Sequence, residues 1–159
     1  MAALRCAINE FSCGLACIES ILADNGLSKT QSQMLSDFGH RFPQWTAQPG
    51  VTSSDACEEI LGSAGLPVIS IEPRTVGEIH SRFNEANTVG ALIFVSQFYD
   101  DVSTRKRMIK VDHILRLTKA EANSIEVMNP YRCPSPAALE EYSWHEFLSF
   151  QGGVLVFQK

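Results

Sequence analysis

Between residues 12 and 23 apolar side chains return at Leu15, Ile18, Ile21 and Leu22, three or four positions apart. That is the repeat of one α-helical face. Ser12 stands where an N-cap belongs, and Asn25-Gly26 supplies a stop. Ser28 with Gln31 reads as a capping box opening a second helix to about Phe38. The stretch GHRFPQWTAQPGV (39–51) is polar, aromatic and proline-bearing, which suits a loop. A third helix follows Thr52, with Asp55 as its reciprocal cap, and ends near Gly62 to Gly65.

The period then shortens. Val68 to Ile71 reads as a short strand, and Thr75 with Glu78 opens a helix to about Ala86. The runs ALIFVSQFY (91–99), MIKVDHILRLT (108–118) and SIEVM (124–128) are rich in β-branched residues and predict strands. Asn123-Ser124 and the charged KAEA segment suit a turn between the last two. Ser143 with Glu146 starts a short helix, and GGVLVFQK (152–159) closes as a strand. Helices first and strands later predict an α+β fold.

Two strands carry a polar residue in an otherwise apolar row. Ile109, Val111, His113, Leu115 and Leu117 share one face, as do Ile125, Val127 and Asn129. An antiparallel hairpin turning near Glu121 pairs residues whose numbers sum to 242, which sets His113 opposite Asn129. Their Cβ atoms then lie about 4.5–5.5 Å apart. Burying such a pair without partners costs about 1–3 kcal/mol per group, so a third group is expected beside them. Cys13 is the candidate. At a helix N-terminus a thiolate meets free backbone N–H groups and the helix dipole, and an imidazolium would stabilise it further.

The 159 residues suit one domain, 1–159, and 45% hydrophobic content can fill a core. A net charge of −5 argues against nucleic acid as the partner; the short basic run Arg105, Lys106, Arg107 reads as a solvated loop. No apolar run reaches the length needed to span a bilayer. The N-terminus lacks a signal-peptide core, because Arg5 and Glu10 interrupt it. The chain is read as cytoplasmic where it is made, with export by a route lacking a cleaved signal left open. Five cysteines without a CxxC pair argue against a disulfide scaffold and for thiols in a reducing compartment. They also give no zinc spacing, so no metal and no cofactor are expected. Cys17 is read as core packing. His40, His80 and His145 are read as surface or capping residues, and Trp144 as a staple between its helix and the sheet. Trp45 stands either in a substrate groove or as a loop anchor.

CGLAC (13–17), the DHILRL strand (112–117), MNP (128–130) and the closing WHEFLSFQGGVLVF (144–157) together resemble papain-like cysteine peptidases. More narrowly, they are similar to the bacterial peptidases that cut leader peptides after a double glycine, and to their stand-alone relatives. The resemblance runs through nearly the whole chain. It implies a helical half packed on an antiparallel sheet, with Cys13 as nucleophile, His113 as general base and acid, and Asn129 as orienter sixteen residues on. It also implies a glutamine amide six residues before the nucleophile. Ala7 stands there, so Asn9, the nearest amide, and the Cys13 backbone N–H are the expected oxyanion donors. Hydrolysis of a peptide or protein amide is the function expected. The alternatives are a glutamine deamidase or acyl transferase acting as an exported effector or toxin, and an inactive peptide-binding module. The sequence leaves the oligomeric state open.

Overall fold

The computed structural model describes residues 2–48, 50, 53–132 and 138–159. The helical half comprises α1 (Cys13–Asp24), α2 (Gln31–Phe38) and α3 (Ser54–Ser63), with a 3-10 turn at Pro43–Thr46. Then follow β1 (Ile69–Ile71), α4 (Val76–Phe83), β2 (Thr88–Tyr99), β3 (Met108–Ala120), β4 (Ser124–Met128), β5 (Leu139–Ser143), α5 (Trp144–Ser149) and β6 (Gly153–Gln158). The six strands form one sheet in the order β1-β6-β2-β3-β4-β5. Each neighbouring pair is antiparallel. The fold is therefore α+β.

Alternate residues of the central strands feed two cores, as a period of two requires. Leu92, Ile114, Met128, Leu155 and Phe157 pack with Leu15, Ile18, Ile21 and Leu22 of α1 and with α3. Ile93, Leu115, Leu117, Val127 and Val156 gather on the other face with Tyr142, Phe147 and Phe150. β3 is thus buried on both sides. Its Arg116 reaches α1, with Nη1 donating to Ser20 Oγ at 2.6 Å and pairing with Asp24 at 2.6 Å. This clamp fixes the helix that carries Cys13 against the strand that carries His113.

Several boundaries move for identifiable reasons. The capping box of α2 is Thr30 with Gln33, not Ser28 with Gln31. Gln31 is buried instead, its amide nitrogen donating to the Cys6 carbonyl at 2.5 Å and its oxygen accepting from Ile8 N–H at 3.3 Å. Ser12 occupies the N-cap position of α1 without capping it. Its hydroxyl turns back to accept from Ile8 N–H and Asn9 N–H at 2.9 and 3.0 Å. Thr52, expected before α3, lies outside the described residues, and Ser53 caps that helix. β5, LEEYS, has no counterpart in the sequence reading.

The β3–β4 register also differs. Arg116 faces Met128 and Leu117 faces Val127, with a bulge before Lys119. Those numbers sum to 244, a slip of two from the expected hairpin. An even slip keeps every side chain on its face, whereas a slip of one would have turned Asn129 away from His113. The basic run is not merely solvated: Arg105 pairs with Glu146 at 3.0 Å and lies 4.5 Å from the Tyr142 ring centre. Among the described cysteines, Cys13, Cys17 and Cys57 form no disulfide, but Cys6 is disulfide-bonded, which overturns the expectation of thiols throughout. Spacing alone cannot reveal such a bond. Cys133 lies outside the described residues. No described helix is long and apolar enough to cross a membrane.

Candidate active site

Cys13 is the first residue of α1, and His113 lies on β3 opposite Val95 of β2. Asn129 follows the last residue of β4. The three come from distant parts of the chain. His113 Nε2 and Asn129 Oδ1 lie 3.0 Å apart. Tyr131 N–H also donates to that Oδ1, at 3.2 Å. The imidazole is stacked on the Tyr131 ring, centres 4.9 Å apart, and meets the edge of Phe98 at 6.0 Å. Two aromatic neighbours and one amide therefore hold the ring's plane and rotation.

Cys13 and His113 line one cleft of about 470 Å³ with Glu10, Phe11, Gln48, Phe94 and Asp112. A second hollow of about 490 Å³ continues past His113 and Asn129, lined by Asp100, Asp101, Glu10 and Asp112 together with Arg132, and Asp100 is paired with Arg107 at 3.4 Å. Glu10 and Asp112 are exposed.

His113 is 7% exposed, and its Nδ1 has no hydrogen-bond partner among the described residues. The Cys13 thiol is held elsewhere. Its hydrogen-bond neighbours are the Tyr131 hydroxyl and the backbone N–H groups of Ile114 and Gly14. The Tyr131 hydroxyl in turn donates to the Glu10 carbonyl. Burial pushes the Cys13 thiol up despite these hydrogen bonds, and burial lowers His113 despite its bond to Asn129. The resting pair at neutral pH is thus a thiol and a neutral imidazole. This differs from the thiolate–imidazolium pair that the helix N-terminus suggested: desolvation exceeds the pull of the donors.

The His113 shift has a stability consequence. Its folded pKa lies below the unfolded value of about 6.5, so the unfolded chain binds the proton more readily. The contribution is present above pH 6.5 and is lost as pH falls through that value toward the folded pKa. Acidification from pH 7 to 5 is expected to lower the thermal midpoint less steeply in His113→Gln than in wild type. Parallel melting curves for the two proteins check this; equal slopes would contradict it.

Two expected site residues do not reach the cleft. Asn9 spends its side-chain oxygen on Phe11 N–H at 2.7 Å, an Asx-turn that shapes the entry to α1. Trp45 is 3% exposed and packs on Phe42, ring centres 4.9 Å apart, so it is a core anchor and not a groove wall. Cys17 is core, as expected, with its thiol 3.8 Å from the Ile114 carbonyl. Trp144 does staple α5, donating from Nε1 to the Glu121 carbonyl at 2.9 Å. Sequence reasoning missed Tyr131, Gln48 and Glu140. The signal for Tyr131 was an aromatic two residues beyond Asn129 across a proline. For Glu140 it was the alternation of LEEYS, which puts Glu140 and Tyr142 on one face. Nothing singled out Gln48 within its polar loop. No protein-family model matches the chain, and no curated protein matches it.

Proposed function

We propose that this protein is a cysteine-dependent hydrolase of papain-like type that attacks an amide carbonyl of a peptide or protein. The observation that carries this reading is the 3.0 Å His113–Asn129 contact, with the other ring nitrogen unpartnered among the described residues, in a ring that lines the same cleft as Cys13. In the reaction the thiol turns from Tyr131 toward His113, and Nδ1 takes its proton. Sγ bonds to the carbonyl carbon, and the C–N bond breaks as His113 returns the proton to the leaving nitrogen. Water, deprotonated by the same imidazole, then releases the acid and restores the thiol. The leaving nitrogen must lie on the His113 side, within reach of the protonated ring.

Asn9 does not line the cleft, whereas Gln48 does, so the second oxyanion donor is assigned to the Gln48 side-chain amide. The first is the Cys13 backbone N–H at the uncapped start of α1. Gln48→Ala is expected to lower kcat by about 10²-fold, while Asn9→Ala changes it less. Steady-state kinetics on a cleaved peptide decide between the two amides, and equal effects would remove Gln48 from this role.

Mass spectrometry of candidate peptides and proteins, treated with wild type or Cys13→Ala, tests the reaction. New termini mean proteolysis, and a gain of about one dalton on glutamine means deamidation by the same acyl-enzyme. A second reading is a peptide-binding groove without turnover. It is favoured by the thiol's contact with Tyr131 and by its raised pKa. A broad screen with neither product, together with peptide binding, would select it.

A further inference from the structure

Directly behind the orienter sits a buried carboxylate that the reaction does not touch. Glu140 on β5 lies opposite Val127 of β4. Opposed residues share a face, so Glu140 stands on the Asn129 side of the sheet, two positions along. The Asn129 backbone N–H donates to the Ala138 carbonyl at 2.7 Å, which draws the two segments together beyond the paired strands. Glu140 is 7% exposed. It accepts from the Tyr142 hydroxyl at Oε2, while its buried Oε1, 3.7 Å from Arg132 Nε, has no hydrogen-bond partner among the described residues. The neighbouring Asn129 side chain favours its charged form, against the burial that raises its pKa.

The Asn129 amide is therefore fixed at its oxygen end, with Glu140 beside it. Its oxygen must face the Tyr131 N–H, because that group can only donate. Its NH2 is then the end left for Glu140, whose buried Oε1 lacks a donor among the described residues and as a carboxylate oxygen can only accept. With the oxygen also 3.0 Å from His113 Nε2, that nitrogen must carry the ring's proton. The proton-accepting lone pair is then on Nδ1.

We propose that Glu140 is a positioning residue that fixes the orientation of the Asn129 amide and, through it, the tautomer of His113. Were the amide reversed, its NH2 would face Nε2, the ring proton would move to Nδ1, and the imidazole could not accept the thiol's proton. The consequence for turnover rests on the hydrolase reading; the tautomer itself does not.

The test reads the tautomer directly. Long-range 1H–15N spectra of the full labelled chain above the His113 pKa should show protonated Nε2 and unprotonated Nδ1 in wild type. Glu140→Leu leaves the amide NH2 without its acceptor and is expected to give mixed tautomers. Glu140→Met, more adaptable in packing, is read the same way should leucine prevent folding. Glu140→Gln, whose own oxygen can face Asn129, is expected to restore the wild-type ring. If the protein turns over a substrate, kcat falls about 10–100-fold in the apolar variant with KM unchanged, and recovers with glutamine. A folded apolar variant with the wild-type tautomer overturns the proposal, even if activity is lost. A wild type without any hydrolysis overturns the hydrolase reading and leaves the spectra to judge Glu140.

Discussion

Cys13→Ala is expected to abolish turnover, His113→Ala to lower it by about 10²–10⁴-fold, and the double variant to be no slower than Cys13→Ala. Without sulfur there is no acyl-enzyme, so removing the base afterwards costs nothing more; groups acting on one bond are not additive. The imidazole effect is large here because the thiol is held protonated by burial, which outweighs the hydrogen bonds around it. Asn129→Ala should cost less, about 10–100-fold, since stacking on Tyr131 and the Phe98 edge still orient the ring. Single-turnover kinetics on a cleaved peptide measure all four proteins. Cys13 is buried but small, so its loss should cost only about 1 kcal/mol of stability. Thermal melts thus separate lost chemistry from lost fold. A His113→Ala protein with the wild-type rate would leave the reaction without its base.

How much of this was legible depended on parity more than on position. The row containing His113 and the row containing Asn129 came from alternation alone, and the two side chains do meet. The absolute register did not come out, because a bulge before Lys119 and a shorter turn shift the pairing by two. That error was harmless only because it was even. Ser12 and Asn9 were misread because each has several short-range partners, and sequence does not say which wins; Gln31 was misread because its amide is taken by Cys6 and Ile8, distant in the chain. Ser12 chose the preceding loop over the helix, which leaves the first N–H groups of α1 available beside the thiol. β5 escaped because Leu139–Ser143 buries Glu140 and Tyr142, so its inward row includes a charge. Trp45 showed the opposite failure, since a loop aromatic looked accessible but fills the helical core beside Phe42.

Gly152→Ala is expected to destabilise the protein by at least about 3 kcal/mol, whereas Gly153→Ala next to it should cost under about 1 kcal/mol. A Cβ on Gly152 would stand 1.6 Å from the Phe94 carbonyl oxygen and 2.9 Å from the Val95 Cα, while one on Gly153 meets nothing within 4 Å. The obstruction is backbone, so no rotamer change relieves it. Nor can the chain retreat easily. β6 lies between β1 and β2, and the Phe150 carbonyl just before Gly152 accepts from the N–H groups of Ser96 and Gln97 at 3.2 and 3.1 Å. Those bonds seat the turn after α5 on the bulge of β2 between Val95 and Gln97. Moving Gly152 away would open that junction and disturb the β6–β2 ladder at Phe94 and Gly153. Phe94 also lines the cleft beside Cys13, so a surviving Gly152→Ala protein should show altered cleft reactivity as well as lower stability. Urea unfolding of the two alanine variants side by side measures the contrast. Equal midpoints would mean that the approach of Gly152 to β2 is looser than its geometry requires.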